Sequence, residues 1–175
     1  MKKTVLRWEL GGILFTILLG SLLHFVFDWS GQWSPLAVVA AVNESVWEHL
    51  KLGFWPALFF FFVEYPFIRK PAQNVFFAKG IGILLIPALI AVLFYSYTAF
   101  MESILPVDLA IFVIAVVVGQ LTSYGVLTAR ALPSWVNIPG LLLLLGLGIA
   151  FSTLTYYPPE LPLFQDPVTG GYGIP

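Results

Sequence analysis

The 175-residue chain is 59% hydrophobic and 10% charged, carries a formal net charge of −1 and contains no cysteine. This composition excludes an ordinary soluble domain and is typical of a polytopic membrane protein. The lack of cysteine excludes disulfides, thiolate nucleophiles and iron–sulfur ligation, and the eight basic residues form no basic face that would bind nucleic acid.

Five apolar segments are long enough to cross a bilayer, which takes about 20 residues of helix. Strands are excluded because an open sheet edge in lipid leaves backbone groups unpaired. The sequence therefore predicts an all-α integral membrane protein, one domain over residues 1–175 built as a bundle of five transmembrane helices. The predicted spans are residues 10–27, 50–67, 80–100, 107–128 and 138–156.

Basic residues mark one side of the predicted membrane protein. Seven of the eight lie before the first span, between the second and third spans, or after the fourth, and Lys51 is the exception. By the positive-inside rule these regions are cytoplasmic, so the N-terminus is expected inside and the C-terminus outside. The first segment is expected to remain as a span, because no small-residue signal cleavage site follows it.

Two segments outside the spans are also predicted to be ordered. Ser34 followed by Pro35 is typical of a helix start, and we predict a short interfacial helix over residues 35–47. The external tail, residues 157–175, is rich in proline and glycine and therefore irregular, but its apolar residues predict a cap folded over the helix ends. Close helix packing is expected at glycines of the third and fifth spans: Gly80, Gly82, Gly140, Gly146 and Gly148.

Ionisable residues concentrate at the outer ends of the first two spans. His24 and Asp28 are four residues apart, and Glu44 and Glu48 repeat that spacing just before His49. Charge beside hydrocarbon is costly, so such groups usually pair, face a wet cavity or take part in chemistry. Imidazole and carboxylate ligands suit zinc or another divalent metal. We predict His24, Asp28 and His49 as metal ligands, with Glu44 and Glu48 as catalytic carboxylates.

A metal at this site would activate water for attack on an ester, amide or phosphoester of a lipid-side substrate, with a glutamate as general base. Two other interpretations stay open: a structural hydrogen-bonded network, in which Lys51 neutralises Glu48, and a path for protons or substrate.

Glu64 lies near Arg69 and Lys70, and an interfacial ion pair is expected there.

Three stretches of the chain carry a family resemblance: His24-Phe-Val-Phe-Asp-Trp-Ser-Gly31, Val42-Asn-Glu-Ser-Val-Trp-Glu-His-Leu-Lys51 and Pro162-Leu-Phe-Gln-Asp-Pro-Val-Thr-Gly-Gly-Tyr-Gly173. Together they resemble a family of small bacterial membrane proteins of unknown function. The resemblance implies a multi-helix protein of the bacterial cytoplasmic membrane and assigns no activity. Ser21, His24 and Asp28 are also similar to the Ser/His/Asp portion of the ceramidase and progestin–adipoQ-receptor zinc membrane hydrolases. Those proteins have a later HxxxH pair, whereas this chain has two histidines in all.

Three functions follow as hypotheses. The first is a metal-dependent hydrolase at the outer leaflet. The second is a non-catalytic membrane subunit that binds lipid, pigment or a partner complex, either a second membrane protein or another copy of itself. The third is a small transporter, which the near absence of charge within the last three spans disfavours.

Overall fold

In the computed structural model, residues 2–175 form five long α-helices, and no β-strand lies in that range. Each helix is long and apolar enough to cross a membrane. The predicted all-helical class and the five span-length helices are therefore confirmed. The helices are α1, Lys2–Trp29; α2, Val46–Ile68; α3, Val75–Thr98; α4, Leu105–Leu127; and α5, Asn137–Tyr156.

Most of the helices extend beyond the apolar segments that predicted them. The first begins at Lys2 instead of residue 10, and the third begins at Val75 instead of residue 80. Hydropathy measures only the apolar part of a helix, whereas backbone hydrogen bonding continues into polar flanks that water can solvate.

The predicted interfacial helix over residues 35–47 is wrong: a short 3-10 helix, Ser34–Val38, is followed by irregular chain until α2 begins at Val46. Side chains satisfy the backbone after it. Asn43 Oδ1 accepts a hydrogen bond from the Ser45 N–H at 2.9 Å, and the Ser45 hydroxyl accepts one from the Glu48 N–H at 3.4 Å. Ser45 therefore acts as the N-cap that starts α2 anew, and the chain before it stays irregular.

Glycines allow three of the helices to approach closely. A Cβ atom on Gly80 would lie 2.7 Å from Gly140 Cα, and one on Gly82 would lie 2.7 Å from the Gly119 carbonyl oxygen. The Gly80–Gly140 contact lies between α3 and α5, and the Gly82–Gly119 contact lies between α3 and α4. Gly146 has no such role, because a Cβ there would meet nothing within 4 Å.

A buried ion pair joins Glu48 and Lys51 near the start of α2. Lys51 Nζ lies 2.5 Å from Glu48 Oε2, and both side chains are almost fully inaccessible. The predicted neutralisation of Glu48 by Lys51 is confirmed.

The expected pairing of Glu64 with Arg69 or Lys70 is wrong. Glu64 is 0% exposed and pairs with Lys79 of α3, whereas Arg69 and Lys70 lie exposed beyond the end of α2. Lys79 also pairs with Glu9 of α1 at 2.7 Å. Glu64 faces the interior of the bundle, so its partner comes from a neighbouring helix.

Residues 157–175 lie against the end of the bundle where α1 ends and α2 begins. The Trp47 N–H donates to the Leu163 carbonyl at 2.9 Å, and the Asn43 side chain donates to the Gly173 carbonyl at 2.7 Å. Phe164 is buried, with its ring centroid 4.7 Å from that of Trp47. These contacts fix the irregular chain that precedes α2.

Candidate metal centre

Three side chains converge where the end of α1 meets the start of α2. His24 lies near the end of α1, His49 lies in the first turn of α2, and Glu44 precedes that helix. The two Nε2 atoms are 3.2 Å apart, and Glu44 Oε2 lies 3.7 Å from His24 Nε2 and 3.5 Å from His49 Nε2. All three side chains are partly exposed, so solvent reaches the group.

The orientation of His49 is set by the backbone. Its Nδ1 lies 2.8 Å from the Ser45 carbonyl oxygen, which can only accept a hydrogen bond, so Nδ1 carries a proton. In the neutral ring, the lone pair of Nε2 then points toward His24 and Glu44. A histidine that binds metal commonly donates its other ring N–H to a backbone carbonyl in this way.

The separations within the group are compatible with three ligands on one ion. Glu44 Oε2 is too far from either histidine nitrogen for a good hydrogen bond, which spans about 2.7–3.2 Å. Zinc lies about 2.0–2.2 Å from nitrogen and oxygen ligands, so neighbouring ligand atoms of a tetrahedral site are about 3.3–3.5 Å apart. The three observed distances fall around that value, and a tetrahedral zinc with three protein ligands would have a fourth position for water or substrate.

Asp166 of the C-terminal tail lies near the backbone of Glu44. The Asp166 carboxylate accepts hydrogen bonds from the Thr169 hydroxyl at 2.6 Å and from the Val168 N–H at 3.0 Å. Burial alone would raise the pKa of Asp166, but these hydrogen bonds outweigh it and hold the pKa below its usual value. The carboxylate is therefore charged at neutral pH, and its contribution to stability is lost only as the pH falls through that lowered pKa.

A cavity of about 550 Å³ opens beside the histidines and is mostly apolar. Its size is within the usual range for small-molecule sites, about 300–1,000 Å³. On the wall formed by α4 and the preceding loop, the Asp108 carboxylate accepts hydrogen bonds from Ser103 at 2.7 Å and from Tyr97. The lining residues are Gly20, Ser21, His24, Glu44, Val46, His49, Leu52, Ile90, Phe94, Ser103, Leu105, Asp108, Leu109, Ile111, Phe112, Pro167 and Val168.

Two of the five predicted site residues lie outside the three-residue group. Asp28 lines a smaller cavity of about 150 Å³ together with His24 and Glu44, and does not converge with the three ligand atoms. Glu48 points away and accepts hydrogen bonds from the Val42 N–H and the Thr155 hydroxyl in addition to its ion pair. The structure thus brings together His24, Glu44 and His49.

Sequence reasoning did not single out Asp108 as a contributor to this region, and it treated Asp166 only as part of a turn in the tail. Asp166 had a detectable signal, because Asp-Pro-Val-Thr-Gly is typical of a turn in which an aspartate bonds the backbone two residues on. Asp108 had none, since its partners Tyr97 and Ser103 come from the preceding helix and loop.

Residues 1–174 match DUF6512, a family of unknown function, so the chain belongs to that family. The predicted membership in an uncharacterised family is confirmed. The chain matches no curated protein and no solved structure.

Proposed function

We propose that this DUF6512 chain is an integral membrane protein that binds zinc through His24, Glu44 and His49 and hydrolyses an amphiphile whose apolar part occupies the 550 Å³ cavity. The observation that carries the proposal is the triangle of ligand atoms, with separations of 3.2, 3.5 and 3.7 Å. A network without metal explains the short histidine contact but leaves the Glu44 carboxylate 3.5 and 3.7 Å from the histidine nitrogens, beyond good hydrogen-bond distance.

The placement of the triangle supports catalysis as well as binding. All three ligand residues also line the apolar cavity, so the fourth coordination position would face a bound substrate. Zinc held by three protein ligands makes a bound water nucleophilic at neutral pH. The oxygen of that water would attack an ester, amide or phosphoester group, and the bond to the leaving group would break.

The roles of the carboxylates differ in this proposal. Glu44 is a ligand, and Glu48 is structural because its oxygens are engaged by Lys51, Thr155 and the backbone. Asp28, which lines the adjoining small cavity, is the carboxylate available to take the proton from water and pass it to the leaving group.

Metal content tests the site directly. Protein purified without chelator or added metal is expected to contain about one zinc per chain by elemental analysis, and His49→Ala and Glu44→Gln are expected to lose most of it. Glu160→Gln, which changes an exposed carboxylate of the tail, should keep the wild-type content. Wild-type protein that takes up no zinc, even in a titration with added zinc, would exclude the metal site.

Hydrolysis is tested separately with long-chain acyl esters, acyl amides and phosphodiesters in detergent. Asp28→Asn should retain zinc while losing most of the cleavage, a loss of about 10²–10⁴-fold for a general base. Zinc binding without cleavage of any of these bonds would leave a role in binding an amphiphile and would reject the hydrolase.

The proposed topology places the metal centre on the outer face of the bacterial cytoplasmic membrane. Support comes from the other end of the bundle, where α1 and α3 begin and α2 and α4 end. That end carries Lys2, Lys3, Arg7, Arg69, Lys70 and Arg130, as expected for a cytoplasmic side.

Single cysteines test this orientation, since the natural chain has none. In intact cells, a membrane-impermeant thiol reagent is expected to label Gly170→Cys and to leave Lys70→Cys unlabelled until the cells are broken. Labelling of both positions from outside would contradict the topology.

A further inference from the structure

A second cluster of charged residues lies in the interior, about 22 Å along α1 from His24. Glu9 comes from α1, Glu64 from α2 and Lys79 from α3, and each is 0–1% exposed. Lys79 Nζ lies 2.7 Å from Glu9 Oε1 and also contacts Glu64 Oε1. The ammonium group therefore bridges the two carboxylates.

The charges in this cluster do not balance. Two ionised carboxylates and one ammonium leave a net charge of −1, buried among apolar helices. An uncompensated buried charge costs several kcal/mol, and buried groups usually neutralise instead of bearing that cost. The Glu48–Lys51 pair near the other end of the bundle has one charge of each sign and is neutral as built.

Unpartnered oxygens give independent evidence that something is bound here. Glu9 Oε2 and Glu64 Oε2 are buried without a hydrogen-bond partner, as is the hydroxyl of Thr16, two turns after Glu9 on α1. Ser123 of α4 donates a long hydrogen bond, 3.4 Å, to the other oxygen of Glu9. Buried polar atoms are nearly always partnered in native structures, so unpartnered oxygens on both carboxylates of a cluster with one excess negative charge indicate a missing positive one.

We propose that Glu9 and Glu64 together hold one proton, so that the Glu9–Lys79–Glu64 cluster is a neutral proton-binding site. A proton compensates the charge without needing further ligands, whereas a hard metal cation takes six or more oxygens, which is more than the unpartnered oxygens present. The two carboxylates share this proton, and it is assigned to neither one alone, since Lys79 contacts both.

Few other groups act on this site. Among residues 2–175, no further ionisable side chain forms an ion pair or hydrogen bond with the three, and α4 contributes only the neutral hydroxyl of Ser123. Removing the proton at alkaline pH therefore leaves one uncompensated negative charge buried on the carboxylates, which destabilises the bundle. Replacing either glutamate by glutamine removes the excess charge and mimics the protonated form.

Infrared spectroscopy of the full-length protein in lipid nanodiscs tests the proposal. Wild type is expected to show the carbonyl band of one buried protonated carboxyl group per chain. The Glu9→Gln and Glu64→Gln variants are expected to lack this band. The Lys79→Gln variant is expected to show the intensity of two such groups, because both carboxylates must then be protonated. Glu102→Gln, at the exposed α3–α4 connection, is the control and should keep the wild-type band.

Thermal unfolding provides a second readout that does not depend on band assignment. The melting temperature of wild type should fall as the pH is raised through the alkaline range, and that of Glu64→Gln should fall less over the same range. A wild type without the band, or with the same pH dependence as Glu64→Gln, would overturn the proposal. Stabilisation of wild type by sodium, but not by choline at equal ionic strength, would also overturn it by identifying a metal cation as the missing charge.

Discussion

Replacing Lys51 by methionine is expected to lower the free energy of unfolding by about 3–5 kcal/mol, the usual effect of removing one partner of a buried ion pair. Lys51 Nζ donates to the Ala37 carbonyl at 2.7 Å and to the Thr155 hydroxyl at 2.8 Å, besides contacting Glu48. Without the ammonium group, Glu48 is left as an uncompensated buried charge. Because Glu48 directly precedes His49, the variant should also weaken the proposed zinc binding.

Unfolding in detergent, followed by circular dichroism, measures this effect. The matched control is Lys70→Met, an exposed lysine at the other end of α2, for which a change within about 0.5 kcal/mol is expected. Adding Glu48→Gln to Lys51→Met should recover part of the loss, since no net charge then remains buried. A Lys51→Met protein as stable as wild type would contradict the assigned role.

Gly140→Ala is expected to destabilise the bundle by about 3 kcal/mol, at the upper end of the usual range for overpacking. A Cβ atom at Gly140 would lie 2.2 Å from the Phe76 carbonyl oxygen and 2.5 Å from Phe77 Cα. These are backbone atoms of α3, so no side chain can move aside to make room. The two helices must separate, which disturbs the packing that surrounds Gly80.

Gly146→Ala is the matched control on the same helix. A Cβ there meets nothing within 4 Å, and alanine is favoured over glycine in a helix by about 0.8–1.0 kcal/mol. The control should therefore be neutral or slightly stabilised by the same unfolding assay. Equal destabilisation of both variants would show that helix contact at Gly140 is not the cause.

The sequence predicted which end of the molecule holds the candidate site. It did not predict the role of each residue in that site. The positions of His24, Glu44 and His49 relative to the first two predicted spans put all three at the same end of the bundle. The four-residue spacing of Glu44 and Glu48 suggested a shared helix face, but the helix begins only at Val46, after Glu44. Glu44 is therefore free to turn toward the histidines while Glu48 faces the interior.

Partners that are distant in the chain decide the role of each carboxylate. Thr155, 107 residues after Glu48, donates to it, and Lys79, 70 residues after Glu9, pairs with it. Sequence reasoning assigned Glu64 to Arg69 and Lys70 because they are its nearest cations along the chain. Nearness along a helix does not govern pairing when one residue faces the interior and the others lie beyond the helix end.

The sequence by itself determined the number of helices and their approximate limits, because about 20 apolar residues form a helix in lipid whatever their neighbours. It also determined the irregular tail, because proline and glycine prevent regular structure there. Only the tertiary structure decided which faces meet. Nearly every face of these helices is apolar, so hydrophobic periodicity carries little information, and close contacts at glycines such as Gly80 and Gly140 set the packing that brings the charged groups together.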